Sequence, residues 1–153
     1  MEEATANGRN DLYEGVRAVL VEPKDLFSVW DRVAEFLGPA CEVSRGRETL
    51  GTLRNSLLTG TDYLFVVLDG GDVIGAVTYN VMEFKTGLRL LDIPMAGGVA
   101  METQIDVVME MIENLRRNLL CDRVTVTGRK GWVKRLAEYG FKQDLYTVEQ
   151  LWA

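Results

Sequence analysis

The order in which hydrophobic patterns follow one another is the feature that most restricts the fold of this chain. Three β-rich runs lie in its centre, at 63–68, 73–82 and 88–93, with turn signals at 69–72 and 85–87 between them. Sequential strands joined by turns this short predict an antiparallel meander.

A different period begins after the third strand. Apolar residues recur at helical spacing from Ile105 to Leu119 and predict a long amphipathic helix, with Thr103 and Asp106 forming a capping box at its start. A strand over 123–127 follows this helix. A helix that connects consecutive strands in this way is typical of a crossover between parallel neighbours, so the predicted sheet is mixed.

The remaining elements complete a single domain over residues 13–153, preceded by a flexible N-terminal arm over 1–12. Before the meander we expect a strand and two amphipathic helices, and after the crossover a short helix and a terminal strand. Their expected bounds are 16–21, 26–37 with a stop at Gly38-Pro39, 50–58 with a stop at Gly60, 132–136, and 144–152.

Composition excludes several classes of chemistry. The chain has 153 residues and no histidine, which excludes Ser-His-Asp and Cys-His catalysis and every His-ligated metal. Cys41 and Cys121 have no metal-ligand spacing, so we expect no metal site and interpret them as buried thiols of a reducing compartment. No apolar run reaches the ~20 residues of a membrane span, and no signal-peptide pattern is present, so we expect a cytoplasmic protein.

Two features point to a known family. One is the order of elements over 16–152, and the other is the phrase Leu136-Ala137-Glu138-Tyr139-Gly140-Phe141 before the last strand. In both features the chain resembles the Gcn5-related N-acetyltransferase (GNAT) superfamily. The resemblance covers nearly the whole sequence. It implies an α+β fold with a mixed central sheet and flanking helices. It also implies an acyl-CoA-dependent N-acyltransferase that transfers an acetyl group from acetyl-CoA to an amine.

The resemblance also indicates a cofactor segment. In the family, acyl-CoA lies where the strands before and after the long helix separate, and N–H groups at the helix start hold its pyrophosphate. The best match to the family's pattern is Met95-Ala96-Gly97-Gly98-Val99-Ala100, in which Gly98 and Ala100 fit and Met95 replaces a polar residue. Two interpretations stay open: a phosphate cradle, or an ordinary turn upstream of a helix that begins at Thr103.

The sequence assigns no catalytic residue. The family's general acid is often a Tyr four residues before the Gly of this phrase, where the chain has Leu136, and Tyr139 lies on another side of the helix. Glu83 or Asp92 is a candidate base, against the simpler interpretation of solvated surface acids. The alternative function is therefore a catalytically inactive adaptor, a pseudoenzyme similar to bacteriophage virion or assembly proteins, in which case it would reside in the virion.

The net charge of −6 conceals a basic segment over 116–135. Its seven cations and one acid give +6, so the rest of the chain carries −12. The cations are Arg116, Arg117, Arg123, Arg129, Lys130, Lys134 and Arg135. Three interpretations stay open: a solvated face, steering of acyl-CoA phosphates, or docking of an acidic protein through Arg129, Lys130, Lys134 and Arg135.

Two further expectations concern partners. The acidic total disfavours general nucleic-acid binding, because phosphate backbones are met with cations. Trp152 ends the predicted terminal strand, which we expect to pack either on its own sheet or in a subunit interface. The sequence therefore leaves a homo-oligomer open.

Overall fold

The central strands form one sheet, in the order in which they occur along the chain. The computed structural model describes residues 2–3, 15–128 and 130–152. Its strands are β1 (Glu2–Glu3), β2 (Val16–Val21), β3 (Tyr63–Asp69), β4 (Asp72–Glu83), β5 (Arg89–Gly98) and β6 (Arg123–Val126). Neighbours pair antiparallel from β1 to β5, and β5 pairs with β6 in parallel. The predicted meander, crossover and mixed α+β sheet are confirmed.

Helices cover both faces of the sheet. They are α1 (Trp30–Glu42), α2 (Leu50–Thr59), α3 (Ile105–Asn118) and α4 (Gly131–Ala137), with 3-10 turns at Pro23–Ser28 and Met101–Gln104. α1 and α2 pack on one face, in a core that includes Leu64 and Val66. α3 packs on the other face, against Phe65 and Ile93. Successive residues of β3 thus enter different cores, as the period of a strand requires.

The prediction that Gly38-Pro39 stops the first helix is wrong. α1 runs through both residues and ends at Glu42. Pro39 lacks the amide hydrogen that a helix bond requires, but Leu37 and Cys41 on either side of it are buried in the core. Packing of this apolar face outweighs the loss of one hydrogen bond.

A bulge in β5 decides which side chains lie on each face. The ladder pairs Thr78 with Met95 but Asn80 with Asp92, so β5 holds one residue more than β4 between these pairs. The extra residue reverses the alternation of side chains. Ile93 therefore packs in the α3-side core, while Met95 packs in the α1-side core.

Two predictions at the start of the long helix are also wrong. β5 extends through Met95–Gly98, which the sequence indicated as a loop, because Gly97 and Gly98 continue the ladder with β4. The turn is thereby displaced to Val99 and Ala100. α3 begins at Ile105 behind a 3-10 turn, and the Thr103 hydroxyl donates to the Ala100 carbonyl at 2.8 Å instead of capping the helix.

The predicted terminal strand is absent from the described residues. Positions 141–152 have no regular secondary structure, and Trp152 is 83% exposed rather than packed on its own sheet. Apolar residues adjoin at Leu145-Tyr146 and again at Leu151-Trp152. A strand over these residues would therefore present apolar side chains on both of its faces. At the edge of a sheet, these side chains would lack cover.

Three further expectations concern the thiols, the membrane and the N-terminus. Cys41 and Cys121 are free and buried, as predicted. Across the described ranges, no helix combines the length and the hydropathy needed to cross a bilayer. The predicted flexible arm over 1–12 lies outside the described residues, except for Glu2–Glu3, which pair with β2.

Candidate active site

The sheet opens where β5 and β6 separate. Their parallel pairing ends at Ile93 and Val126, and the Thr127 amide donates to the Ile93 carbonyl at 3.1 Å. β5 then continues to Gly98, while the chain after Gly128 turns away into α4. Within the described residues, the last part of β5 therefore has a strand on one side only. We call the gap on its other side the wedge.

A cleft of about 1400 Å³ occupies the wedge and reaches both faces of the sheet. On the α3 side its wall is mostly apolar, and is formed by Met101, Ile105, Val108, Met109, Ile112, Trp132 and Leu136. On the α1 side the wall is formed by the end of α1, the loop that follows it to Glu48, and residues 147–149. The cleft thus joins two chambers of different chemistry.

The segment predicted to bind a cofactor lies along this cleft. Met95, Ala96, Gly97 and Gly98 line it, and Val99 and Ala100 are exposed in the turn that follows. A Cβ atom at Gly97 would collide with the carbonyl of Phe36, and one at Gly98 with the carbonyl of Ile74. Close packing of β5 against α1 and β4 therefore requires glycine at both positions.

Gln104, which the sequence analysis did not single out, fixes the start of α3 to the sheet. Its side chain is 2% exposed, and Nε2 donates to the carbonyls of Ile74 at 2.9 Å and Val99 at 2.6 Å. A Cβ atom at Gly75 would collide with Oε1 of the same side chain. A buried glutamine is rare without such bonds, and a single sequence offers no signal for it.

α4 lies across the first turns of α3. The Arg135 guanidinium donates to the Glu102 carbonyl at 3.0 Å, and the Tyr139 hydroxyl donates to the Asp106 carboxylate. This hydrogen bond raises the pKa of Tyr139 to about 12. Leu136, at the position of the family's acid, is buried and lines the cleft.

The basic segment is partly neutralised within the molecule. Glu113 accepts hydrogen bonds from Arg116 at 2.7 Å and from Arg117 at 3.0 Å. These bonds lower the pKa of the Glu113 carboxyl. Lys130 and Lys134 are exposed near α4, while Arg129 lies outside the described residues. Among the described residues, Lys130, Lys134 and the exposed Arg123 of β6 form no ion pair, so they are more available to a ligand than the arginines of α3.

A row of polar side chains crosses the α1-side face of the sheet beside the wedge. Asn80 of β4 pairs directly with Asp92 of β5, which pairs with Thr125 of β6. The Asn80 amide donates to Asp62 at 3.0 Å, and the Thr125 hydroxyl donates to Asp92 at 2.8 Å. We call Asp62, Asn80, Asp92 and Thr125 the polar row. Its members are far apart in the sequence, and only the strand register brings them together.

The two carboxylates that the sequence offered as a base differ in position. Asp92 is half-buried next to Ile93, where the wedge begins, and burial together with the nearby Asp62 raises the pKa of its carboxyl, although the bond from Thr125 acts in the opposite direction. Glu83 is exposed and pairs with Arg89 at 3.2 Å. Neither carboxylate lines the cleft itself, but Asp92 lies next to Asn80 and Ile93, which do line it, whereas Glu83 pairs with Arg89, which does not. The geometry therefore favours Asp92.

Thr78 places an unsatisfied hydroxyl in the same chamber. Its side chain is 0% exposed, it lies on the same face of β4 as Asn80, and it lines the cleft. Among the described residues, its hydroxyl oxygen has no hydrogen-bond partner. Buried hydroxyls are nearly always bonded, so this one is available to a polar ligand group or a water that enters the cleft.

Several solved structures share this fold. An aminoglycoside acetyltransferase from an uncultured soil metagenomic sample matches with a TM-score of 0.66 and 15% identity, over 90% of this chain and 97% of that one. A GNAT family acetyltransferase from Staphylococcus aureus matches at 0.64 and 12%, over 90% and 99%. A ribosomal-protein-alanine N-acetyltransferase from Brucella melitensis matches at 0.60 and 10%, over 90% and 98%.

The comparisons of sequence find no match for this chain, whereas the comparison of structures does. No protein-family model matches the chain, and no curated protein matches it. At identities this low, the solved structures establish the architecture and not the reaction. The chain has the fold of the GNAT family acetyltransferases.

Proposed function

We propose that this protein is an N-acyltransferase that transfers the acetyl group of acetyl-CoA to an amine. The observation that carries the proposal is the wedge between β5 and β6, because it connects an apolar chamber to an acidic one. An acyl thioester and an amine that enter from opposite faces would meet there. Holding two reactants in contact in this way removes much of the entropic barrier to their reaction.

The α3-side chamber suits acetyl-CoA. Beyond Ile93, the side of β5 that faces the wedge has no strand beside it in the described chain, so an extended ligand with amide groups can pair with it. The apolar wall around Ile105 and Trp132 suits an alkyl chain, and Lys130 and Lys134 suit phosphates. We therefore propose that Met95–Ala100 binds the cofactor through its backbone. Acetyl-CoA, when bound, supplies the activated acyl group.

Asp92 is the proposed general base. An amine is mostly protonated at neutral pH, and its nitrogen becomes a nucleophile only after it loses a proton. A half-buried carboxylate with a raised pKa accepts such a proton better than an exposed one. In the transfer, Asp92 would take this proton, the nitrogen would form a bond to the acetyl carbon, and the carbon–sulfur bond would break. The second proton, which the nitrogen loses as it becomes an amide, would pass through water to the leaving thiolate.

The described residues supply no obvious acid for that thiolate. Leu136 has no proton to donate, and the Tyr139 proton is held by Asp106. Catalysis would therefore rest on positioning of the thioester, on the α3 side of the wedge, and on removal of a proton from the amine, on the α1 side. This division of labour makes the binding of acetyl-CoA separable from the chemistry in an experiment.

Calorimetric titration with acetyl-CoA tests the proposal. We expect saturable binding that weakens about tenfold in the double variant Lys130→Glu, Lys134→Glu, because two favourable charge contacts with phosphates become unfavourable. The matched control is Lys85→Glu, which reverses an exposed charge in the turn between β4 and β5 and should bind like the parent. No binding at millimolar acetyl-CoA would contradict the proposal.

A second candidate function is favoured by one observation. Several apolar side chains of the C-terminal segment are exposed, namely Leu145, Tyr146, Val148, Leu151 and Trp152. Exposed apolar groups on this scale mark protein contacts, and an acidic partner would also be met by Arg129, Lys130, Lys134 and Arg135. We infer from this a catalytically inactive adaptor as the alternative. Release of the thiol from acetyl-CoA in the presence of an amine would exclude this catalytically inactive alternative.

A further inference from the structure

We propose that the acceptor is a diamine or polyamine, whose second ammonium group is held by Asp62 while its reacting amine faces Asp92. This inference rests on the proposed function and narrows the substrate class of the same site. It is carried by the charge of the polar row, by the buried Thr78 hydroxyl and by the register of three strands.

The polar row holds two carboxylates without a cation. Asp62 accepts a hydrogen bond from the Asn80 amide, and Asp92 accepts one from the Thr125 hydroxyl, so both of their partners are neutral. Within the described ranges, no lysine or arginine forms an ion pair with either carboxylate. Partial removal of a carboxylate from water is unfavourable, and a positive charge beside it offsets that cost. The missing charge is therefore one that a ligand supplies.

Other charged residues on the chamber wall do not supply this missing positive charge. Arg47 is engaged by Glu149 of the C-terminal segment, and Arg45 is exposed in the loop after α1. Arg123 lies on the same face as Thr125, one row further from the wedge, and no ion pair links it to Asp92 in the described structure. Glu48 also lines the chamber. Arg45 and Arg47 line the chamber as well, and the lining acids Glu48, Asp62 and Glu149 exceed them by one, so the chamber retains a small net negative charge.

Thr78 is an independent sign of a polar ligand. Its hydroxyl is fully buried and unbonded, although Thr78 lines the cleft next to Asn80 on the same face of β4. A hydroxyl oxygen accepts a hydrogen bond from an ammonium or an amine N–H. An amine donor that reaches this depth would satisfy the hydroxyl, whereas an apolar group would not.

The strand register sets the distance between the two charges of the ligand. Asp62 is bonded to Asn80 on β4, and Asp92 lies opposite Asn80 on β5. Neighbouring strands are separated by about 4.8 Å, so the two carboxylates lie within about two strand spacings of each other. A short linear diamine spans this distance, while a monoamine satisfies only one of the two carboxylates.

The test compares 1,4-diaminobutane with n-butylamine, which have the same carbon chain and differ by one ammonium group. Each is titrated calorimetrically into the full chain, and each is then offered with acetyl-CoA while thiol release is followed. We expect the diamine to bind about tenfold more tightly, since a charge-assisted hydrogen bond is added. The variant Asp62→Asn should lose this preference, and Thr78→Val should weaken the binding of both amines. Asp72→Asn, at the exposed start of β4, is the matched control and should behave like the parent.

Equal affinity for the two amines, or a diamine preference that survives in Asp62→Asn, would overturn the inference. Titration of the parent chain with acetyl-CoA separates this failure from failure of the proposed function. If acetyl-CoA binds and the diamine preference is absent, only the substrate class is wrong. If acetyl-CoA does not bind to the parent chain, the proposed function itself is wrong.

Discussion

The two sides of the wedge differ in almost every physical respect. The α3 side is walled by apolar side chains and bordered by exposed lysines of α4. The α1 side carries two carboxylates, an amide and hydroxyls, with no cation paired to those acids in the described structure. One cleft can therefore offer different surroundings to two ligands of opposite charge, because the sheet separates its two sides.

The bulge in β5 creates this division. It turns Met95 toward the apolar core under α1, while Asp92, three residues earlier, remains on the same face. In a regular strand, residues three apart point to opposite faces. Without the bulge, either the carboxylate would enter the α3 core or the methionine would leave its own.

The largest effect is expected from Asp92→Asn, which removes the proposed base and leaves the α3 side intact. Loss of a general base typically costs 10²-fold to 10⁴-fold in rate, so we expect acetyl transfer to fall at least about 10²-fold. The affinity for acetyl-CoA should remain that of the parent. Steady-state kinetics and calorimetry measure the two quantities, and Glu83→Gln serves as the matched carboxylate control. An unchanged rate would remove Asp92 from the mechanism.

Gly97→Ala should disturb the contact between β5 and α1 beside the wedge. The new methyl group would collide with the carbonyl of Phe36, where α1 meets β5. Forcing extra volume into a packed contact costs about 1–3 kcal/mol. Gly71→Ala is the control, because no atom lies near the added methyl group at that position. Denaturant unfolding measures both variants, and equal stability of the two would show that α1 does not pack on β5 this closely.

Thr78→Val should stabilise the free protein while it weakens amine binding. Valine fills the same space, and it removes a buried hydroxyl that has no partner in the described structure. The unsatisfied group costs about 1–3 kcal/mol, so we expect the free energy of unfolding to rise by about 1 kcal/mol. Thr125→Val is the contrasting variant, because its hydroxyl donates to Asp92. A destabilised Thr78→Val chain would mean that the hydroxyl is bonded after all.

The smallest expected effect is on the pH dependence of the free energy of unfolding, and it concerns Asp92 on the α1 side of the wedge. The pKa of Asp92 is raised above the ordinary value of 3.8, so its ionised form is less favourable in the folded chain. Its contribution to stability is therefore fully present below pH 3.8 and is lost as the pH rises through the folded-state pKa. Asp92→Asn should raise the free energy of unfolding at pH 7 relative to the parent, and the difference should shrink in acid. A variant less stable than the parent at pH 7 would contradict this sign.

The order of the elements could be read from the sequence, because hydrophobic periods and turn signals are local. Pro39 and Thr103 misled the helix bounds, since packing of Cys41 and pairing of Gly98 override local preferences. The acidic chamber could not be found in this way. Asp62, Asn80, Asp92 and Thr125 become neighbours only through strand register, and the bulge that aligns Met95 with them leaves no signal in a single sequence.

One measurement tests the central claim most directly, namely that the two sides of the wedge bind different ligands. Backbone amide NMR spectra of the full chain are recorded during successive additions of acetyl-CoA and 1,4-diaminobutane. We expect acetyl-CoA to shift resonances of residues 95–109 and 131–136, and the diamine to shift those of Asp62, Asn80, Asp92 and Thr125. Shifts by both ligands on one side of the sheet, or by neither, would contradict the account.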